Sequence, residues 1–348
     1  MGADKFIKDI CSENTCFLCG LPYSDELFNM EHVIPDWIHN SHKLPSYKTI
    51  LGNETTYPYA SHKIPCCKSC NSMLGERVEK PMSKILQHGI AGLVKHINEH
   101  GIMLPYLWLA LIFIKHSIHD KKLRKYRDRR MPDIKLSEDI EWNEFYHVYT
   151  LVRTLLFAEN ANIGKGCIGS FLVLSAMVDD SKFHSFDYAD FTLTQSAMIR
   201  YNDVIIAASF NDACGAINGI RNRMSRVKGP LGIAQAREIL LDMAVVNVHM
   251  KNRPTFSYKV SWDGTRHELC AHVPDKFEMY DVDMALRGEL SLTAYRGIID
   301  TLRIDDSSST PEVIEKLRTG TVSFLFDANG EFIRDSLQFT PVPRITCV

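Results

Sequence analysis

The sequence predicts an α+β protein, with a small cysteine-rich module at the N-terminus and a larger region, first helical and then mixed, behind it. Three observations carry this. Residues 1–80 are short, punctuated segments with paired cysteines. The middle of the chain holds long apolar runs of helical period. Beyond Gly166, β-branched and aromatic runs bounded by turn residues alternate with helical ones.

Taken in order, "MEHVIP" has strand character and is stopped by Pro35, and "SHKIP" is a second short strand. "CNSMLGERVEKPMSKIL" starts a helix that Gly75 and Pro81 are expected to break. Helical patterns follow at about 83–99, 104–119 and 137–158, the last with Ser137 as N-cap. "CIGSFLVLSAM" and "FTLTQSAMIRYNDVIIAASF" read as strands, the second as a hairpin turning at Asn202–Asp203. "NDACGAINGIRNRMSRV" and "PLGIAQAREILLDMAVVNVHM" read as helices. "TFSYKVSWDGTRHELCAHV" is a hairpin with Asp263–Gly264 at its turn, followed by a helix through about 303. "DSSSTPE" is a loop ending in a helix start, and "TVSFLFDANGEFIRDSL" is a last hairpin around Asn329–Gly330. The expected division is 1–99 and 100–348, with a boundary as late as about 160 as the alternative.

A chain of 348 residues has room for about two domains, and 45% hydrophobic with 24% charged residues is an ordinary globular composition. The 40 basic and 42 acidic residues nearly cancel, so only local patches could attract nucleic acid. "MGADKFIKDI" is too charged for a signal peptide. "IMLPYLWLALIFI" (102–114) is too short to span a bilayer and reads as a buried helix. The 10 cysteines include several scattered ones, a usage that suits a reducing compartment, and a cytoplasmic location is expected.

The chemistry-bearing pattern is Cys16-x-x-Cys19, then Glu31-His32, then Cys67-x-x-Cys70-Asn71. Two such cysteine pairs suit a tetrahedral zinc ion, each pair supplying two thiolates from one tight turn. Cys67 has the right spacing to Cys70, so Cys66 is read as a bystander. Four thiolates would leave zinc no open position, which makes it structural. Trp37 reads as core packing.

Taken together, "CFLCG", "EHVIPDWI" and "SHKIPCCKSCNSMLGERVE" resemble the zinc-stabilised HNH nucleases of the ββα-metal class. The resemblance covers roughly residues 10–85; residues 100–348 resemble no family. It implies a metal-dependent endonuclease cutting phosphodiester bonds to a 5′-phosphate and a 3′-hydroxyl, with DNA the preferred substrate and a bacterial phage-defence setting. It implies His32 as general base, a role its ordinary pKa near ~6.5 suits. It also implies Glu31 and Asn71 as oxygen ligands of a catalytic Mg²⁺ or Mn²⁺. His62 stands where many members carry Asn to orient the base-bearing strand, and Asn53 is the alternative for that role. Glu31 and His32 are consecutive on a strand, so a bulge, a twist or the strand end must bring them to one site. The other class of function is a non-catalytic zinc-braced nucleic-acid-binding or interaction module.

Two basic runs, "KKLRKYRDRR" (121–130) and "RNRMSRVK" (221–228), are either solvated helix faces or phosphate grips. Lys121, Lys122, Arg124 and Lys125 are the candidate contacts. A homo-oligomer or an activating partner is a further expectation for the C-terminal region.

Overall fold

In a computed structural model, the chain opens with a short helix α1 (Ala3–Phe6), which a π-helical turn extends to Ser12. The structure describes residues 2–12, 14–42, 48–178, 185–261, 265–302, 309–334 and 340–341. It is an α+β protein with several small sheets. β1 (Phe28–His32) ends before Pro35, and α2 (Asp36–His42) starts directly after that proline. β2 (Lys48–Ile50) and β3 (Thr56–Pro58) form a small antiparallel pair. β4 (Lys63–Cys67) then pairs antiparallel with β1, from Phe28 opposite Cys67 to His32 opposite Lys63.

The helix after β4 is not broken. α3 (Lys68–Leu74) passes through a π-helical stretch (Gly75–Glu79) into α4 (Lys80–Leu86). Gly75 keeps right-handed helical dihedrals, and Pro81 falls in the first turn of α4. A proline lacks an N–H and crowds the carbonyl four residues back, so the wider π-helical turns just before it let the helix continue. α5 (Gly89–His100) ends at Gly101, whose φ of 79° places it in the left-handed region that suits glycine.

α6 (Met103–Asp120) is apolar nearly all round and buried along almost its whole length. It carries Trp108, Ile112 and Phe113 into the core, where Phe113 stacks on Phe145 at 5.6 Å. α7 (Trp142–Phe157) begins after a 3-10 turn (Leu136–Asp139), later than Ser137, and is followed by β5 (Asn160–Ile163).

The chain separates into two units, Met1–Ile163 with Ser257–Leu269, and Gly164–Phe256 with Cys270–Val348. The observed division lies after Ile163, close to the later of the two expected boundaries and not at 99/100. α6 and α7 are tied to the cysteine-rich module: Lys115 on α6 bonds Glu31, and the Tyr149 hydroxyl on α7 donates to the Leu18 carbonyl at 2.8 Å.

In the second unit, β6 (Ser170–Ser175), β7 (Phe186–Phe191), β8 (Ser196–Tyr201) and β9 (Val204–Ser209) form an antiparallel sheet of order β6-β9-β8-β7. Asn202, with φ of 52°, turns the β8–β9 hairpin where the sequence placed it. α8 (Gly215–Met224) and the buried α9 (Ile233–Val248) pack with this sheet. β10 (Thr255–Val260) and β11 (Arg266–His272) then return to β5, giving order β10-β11-β5 with β11 and β5 parallel. The Asp263–Gly264 turn between them lies outside the described residues.

α10 (Met284–Ala294) and α11 (Thr310–Arg318) pack together. Ser309 caps α11 with Glu312 reaching back to its amide, as "DSSSTPE" implied. The last hairpin is smaller than expected. The turn at Gly330 forms, with a single bridge from Phe326 to Phe332, but β12 (Val322–Ser323) pairs instead with β13 (Thr340–Pro341).

Candidate metal centre and histidine site

Cys16 and Cys19 sit on a knuckle closed by two backbone bonds, Cys16 N–H to Leu21 O at 2.8 Å and Gly20 N–H to Cys16 O at 2.9 Å. Gly20 has a φ of 78°, which a glycine adopts without strain. Cys67 ends β4 and Cys70 lies in the first turn of α3. The β1–β4 pairing and the start of α3 bring the two knuckles together. The four sulfurs all lie within 4.8 Å of one another.

Cys19 Sγ and Cys67 Sγ are 3.8 Å apart. Thiolates bonded at ~2.3 Å to a tetrahedral zinc would stand about 3.8 Å from each other. The donor set therefore fits zinc. Cys66 is buried beside the cluster, its thiol directed to the Cys67 carbonyl at 3.6 Å and hydrogen-bonded with Cys16. Hydrogen bonding from Cys19 holds the Cys16 thiol far below its ordinary range, and the same sharing with Cys16 pushes Cys70 up.

Glu31 and His32 do not converge. The β1–β4 register runs regularly through both residues, so alternation sends their side chains to opposite faces. Glu31 is buried against α6, where Lys115 Nζ lies 3.0 Å from Oε1. Lys115 is itself only 2% exposed; it also donates to the His32 carbonyl at 2.8 Å and approaches Glu79 at 3.5 Å. Burial alone would lower the Lys115 pKa, but Glu31 and then Glu79 raise it. Burial raises Glu79. Asn71, on α3, donates its amide to Asn29 Oδ1 at 2.9 Å, and Asn29 shares the β1 face of Glu31. Glu31 does not fit a divalent-ion ligand: an ammonium 3.0 Å away already neutralises it and would repel a second cation.

His32 is half-buried at the end of β1. Asp36 Oδ1, at the start of α2, lies 3.8 Å from its Nδ1, and the His39 ring lies 4.8 Å from its ring. Burial, then Lys63, pull the His32 pKa below its ordinary value, and burial takes His39 down to about 4. Both imidazoles are therefore neutral near pH ~7. Trp37 stacks on Trp108 at 6.1 Å, which is core packing.

His62 meets the end of β1 through its backbone: its carbonyl accepts the amide of Val33, the residue after the strand, at 2.9 Å. Its side chain goes elsewhere, to within 4.3 Å of the His119 ring and 5.1 Å of the His116 ring, both on α6. It is 2% exposed, and neither ring nitrogen has a hydrogen-bond partner among the described residues. Leaving buried polar groups unpaired costs on the order of 1–3 kcal/mol each. Asn53 bonds the Arg124 carbonyl and the Thr55 amide, as a turn residue does.

The basic run is a turn-rich segment, not a helix face, and most of its charge is used internally. Lys121 is buried and donates to the Ile10 carbonyl at 2.6 Å. Arg124 pairs with Asp133 at 3.0 Å and Lys125 with Asp139 at 2.9 Å. Lys122 is exposed, 3.3 Å from Asn14 Oδ1. In the second run, Arg223 is bound to Glu238 and Asp242.

Sequence reasoning missed Asp36, Lys115, His116 and Asp120. Three of these sit in "KHSIHD", directly after the run 102–114 read as a buried helix. The i, i+4 spacing of His116 and Asp120 was the available signal. Among the described residues, no single helix is long and apolar enough to cross a membrane. No family model matches the chain, and neither a curated protein nor a solved structure matches it.

Proposed function

We propose that the chain is an HNH-type endonuclease that hydrolyses phosphodiester bonds, with DNA as its preferred substrate. One observation carries this: a β1–β4–α3 unit, clasped by four converging cysteines, ends its first strand on a half-buried neutral His32. In this role His32 takes a proton from the attacking water, and Asp36 stabilises the imidazolium that results. The four-cysteine zinc holds the unit together and takes no part in the chemistry. A catalytic Mg²⁺ or Mn²⁺ belongs to the same proposal. Asn71 fits such an ion through its amide oxygen; Glu31, paired to Lys115, does not. The phage-defence setting rests on the family resemblance alone.

A second reading has an observation in its favour. Glu31 and Asn71 are each bonded to side chains of the same unit, the arrangement expected of a zinc-braced binding module without catalysis. One experiment separates the two. Supercoiled plasmid, single-stranded DNA and RNA are incubated with the protein and Mg²⁺, Mn²⁺ or EDTA, and cleavage and binding are both measured. Metal-dependent nicking supports the nuclease; binding without cleavage supports the module.

A further inference from the structure

We propose that His62, His116 and Asp120 form a second metal site, separate from the four cysteines and built for a transition cation of the zinc class. One ligand atom from each of the three residues lies within 4.8 Å of the others, and all three residues are buried. His116 and Asp120 stand one helical turn apart on α6. That is the spacing at which a helix offers two ligands to one ion from one face. His62 enters from the turn before β4, so the site ties that turn to α6.

A bland buried ion pair accounts for these residues less well. His116 Nε2 lies 3.6 Å from Asp120 Oδ2, too long for a good hydrogen bond. Nitrogen and oxygen ligands at ~2.1 Å around a tetrahedral ion would stand about 3.4 Å apart. His62 supplies the independent observation: it is 2% exposed, its ring sits beside both α6 histidines, and neither nitrogen has a hydrogen-bond partner among the described residues. A cation is what a buried imidazole so placed lacks.

The surroundings hold the carboxylate in place. Asp120 Oδ2 accepts the Gly52 amide at 2.7 Å, and its Oδ1 lies 2.9 Å from His119 Nδ1. Such outer partners orient a ligand and are part of working metal sites. Imidazole and carboxylate donors favour zinc, cobalt, nickel or copper over magnesium. Three protein ligands leave a fourth position open, the pattern of zinc sites that bind a water or a substrate. This site does not depend on the nuclease reading.

The test is a Co²⁺ titration of the full chain with its cysteine site already loaded with zinc. One equivalent should bind, giving the d–d absorption of nitrogen and oxygen ligation without thiolate-to-cobalt charge transfer. His62→Phe, which keeps a ring of similar shape, and Asp120→Asn should each weaken that binding more than about tenfold. Retention of the cysteine-bound zinc shows that the variants are folded. Three outcomes would overturn the site: no equivalent bound by the wild-type chain, a charge-transfer band showing Co²⁺ at the cysteines alone, or undiminished binding in both variants. If the variants unfold, the wild-type titration still decides.

Discussion

Replacing Lys115 with methionine is expected to destabilise the first unit strongly, and more at neutral than at acidic pH. Lys115 is 2% exposed and is the cation that Glu31 faces at 3.0 Å and Glu79 at 3.5 Å. Methionine fills similar space but leaves the carboxylates without their counter-charge. Removing one partner of a buried ion pair costs about 3–5 kcal/mol. At ~2–4 °C per kcal/mol for a unit of this size, the melting temperature should fall by roughly 6–20 °C. Burial already raises Glu79, and losing Lys115 raises it further. A carboxyl whose folded pKa is raised holds its proton more tightly in the folded state. Its contribution is therefore intact below the unfolded pKa near ~4.3 and is lost as pH climbs through the folded value. The deficit of the variant should accordingly shrink towards pH ~5. Adding Glu31→Gln should recover part of the loss, because only Glu79 is then left without its counter-charge. Calorimetry at the two pH values measures all of this. A melting temperature within ~2 °C of wild type near neutrality, or a deficit that does not change with pH, would refute the electrostatic account.

Other substitutions separate the remaining roles. Cys67→Ser should lose the cysteine-bound zinc while Cys66→Ser keeps it, read as zinc per chain; the reverse would reassign the ligand. Replacing Arg124 and Lys125 by glutamine should leave the salt dependence of DNA binding unchanged, because both are paired within the chain. If instead each gripped a DNA phosphate, its neutralisation would flatten that slope by about 0.9 per residue. Gly288→Ala should cost about 1–3 kcal/mol of stability in the second unit, since a Cβ there would meet the Arg318 carbonyl at 2.0 Å and push α10 and α11 apart. Denaturant unfolding measures it.

The local signals were legible in the sequence. The spacing of Cys16, Cys19, Cys67 and Cys70 announced a cluster that the fold closes, and Asn202–Asp203 marked its hairpin. The α+β class followed from switches of hydrophobic period. What escaped depends on contacts between distant residues. Glu31 looks like a free ligand until β1 is laid on α6 and Lys115 appears beside it. His116 and Asp120 lie just beyond the apolar run 102–114, and only the fold brings them beside His62. Pro81 looked like a helix stop, but a π-helical stretch ahead of it carries the chain through. The division after Ile163 is close to the later expected boundary of about 160; α6 and α7 packing back on the cysteine-rich module decide between the two expected boundaries.

Plasmid nicking by the wild-type chain and by His32→Ala, measured side by side with zinc content, tests the proposed nuclease most directly. The wild type should nick supercoiled plasmid with Mg²⁺ or Mn²⁺ and not with EDTA. The variant should keep its zinc and lose on the order of 10²–10⁴ in rate, the usual contribution of a positioned base. Equal rates for the two proteins, or no cleavage by a zinc-loaded wild type with either metal, would contradict it.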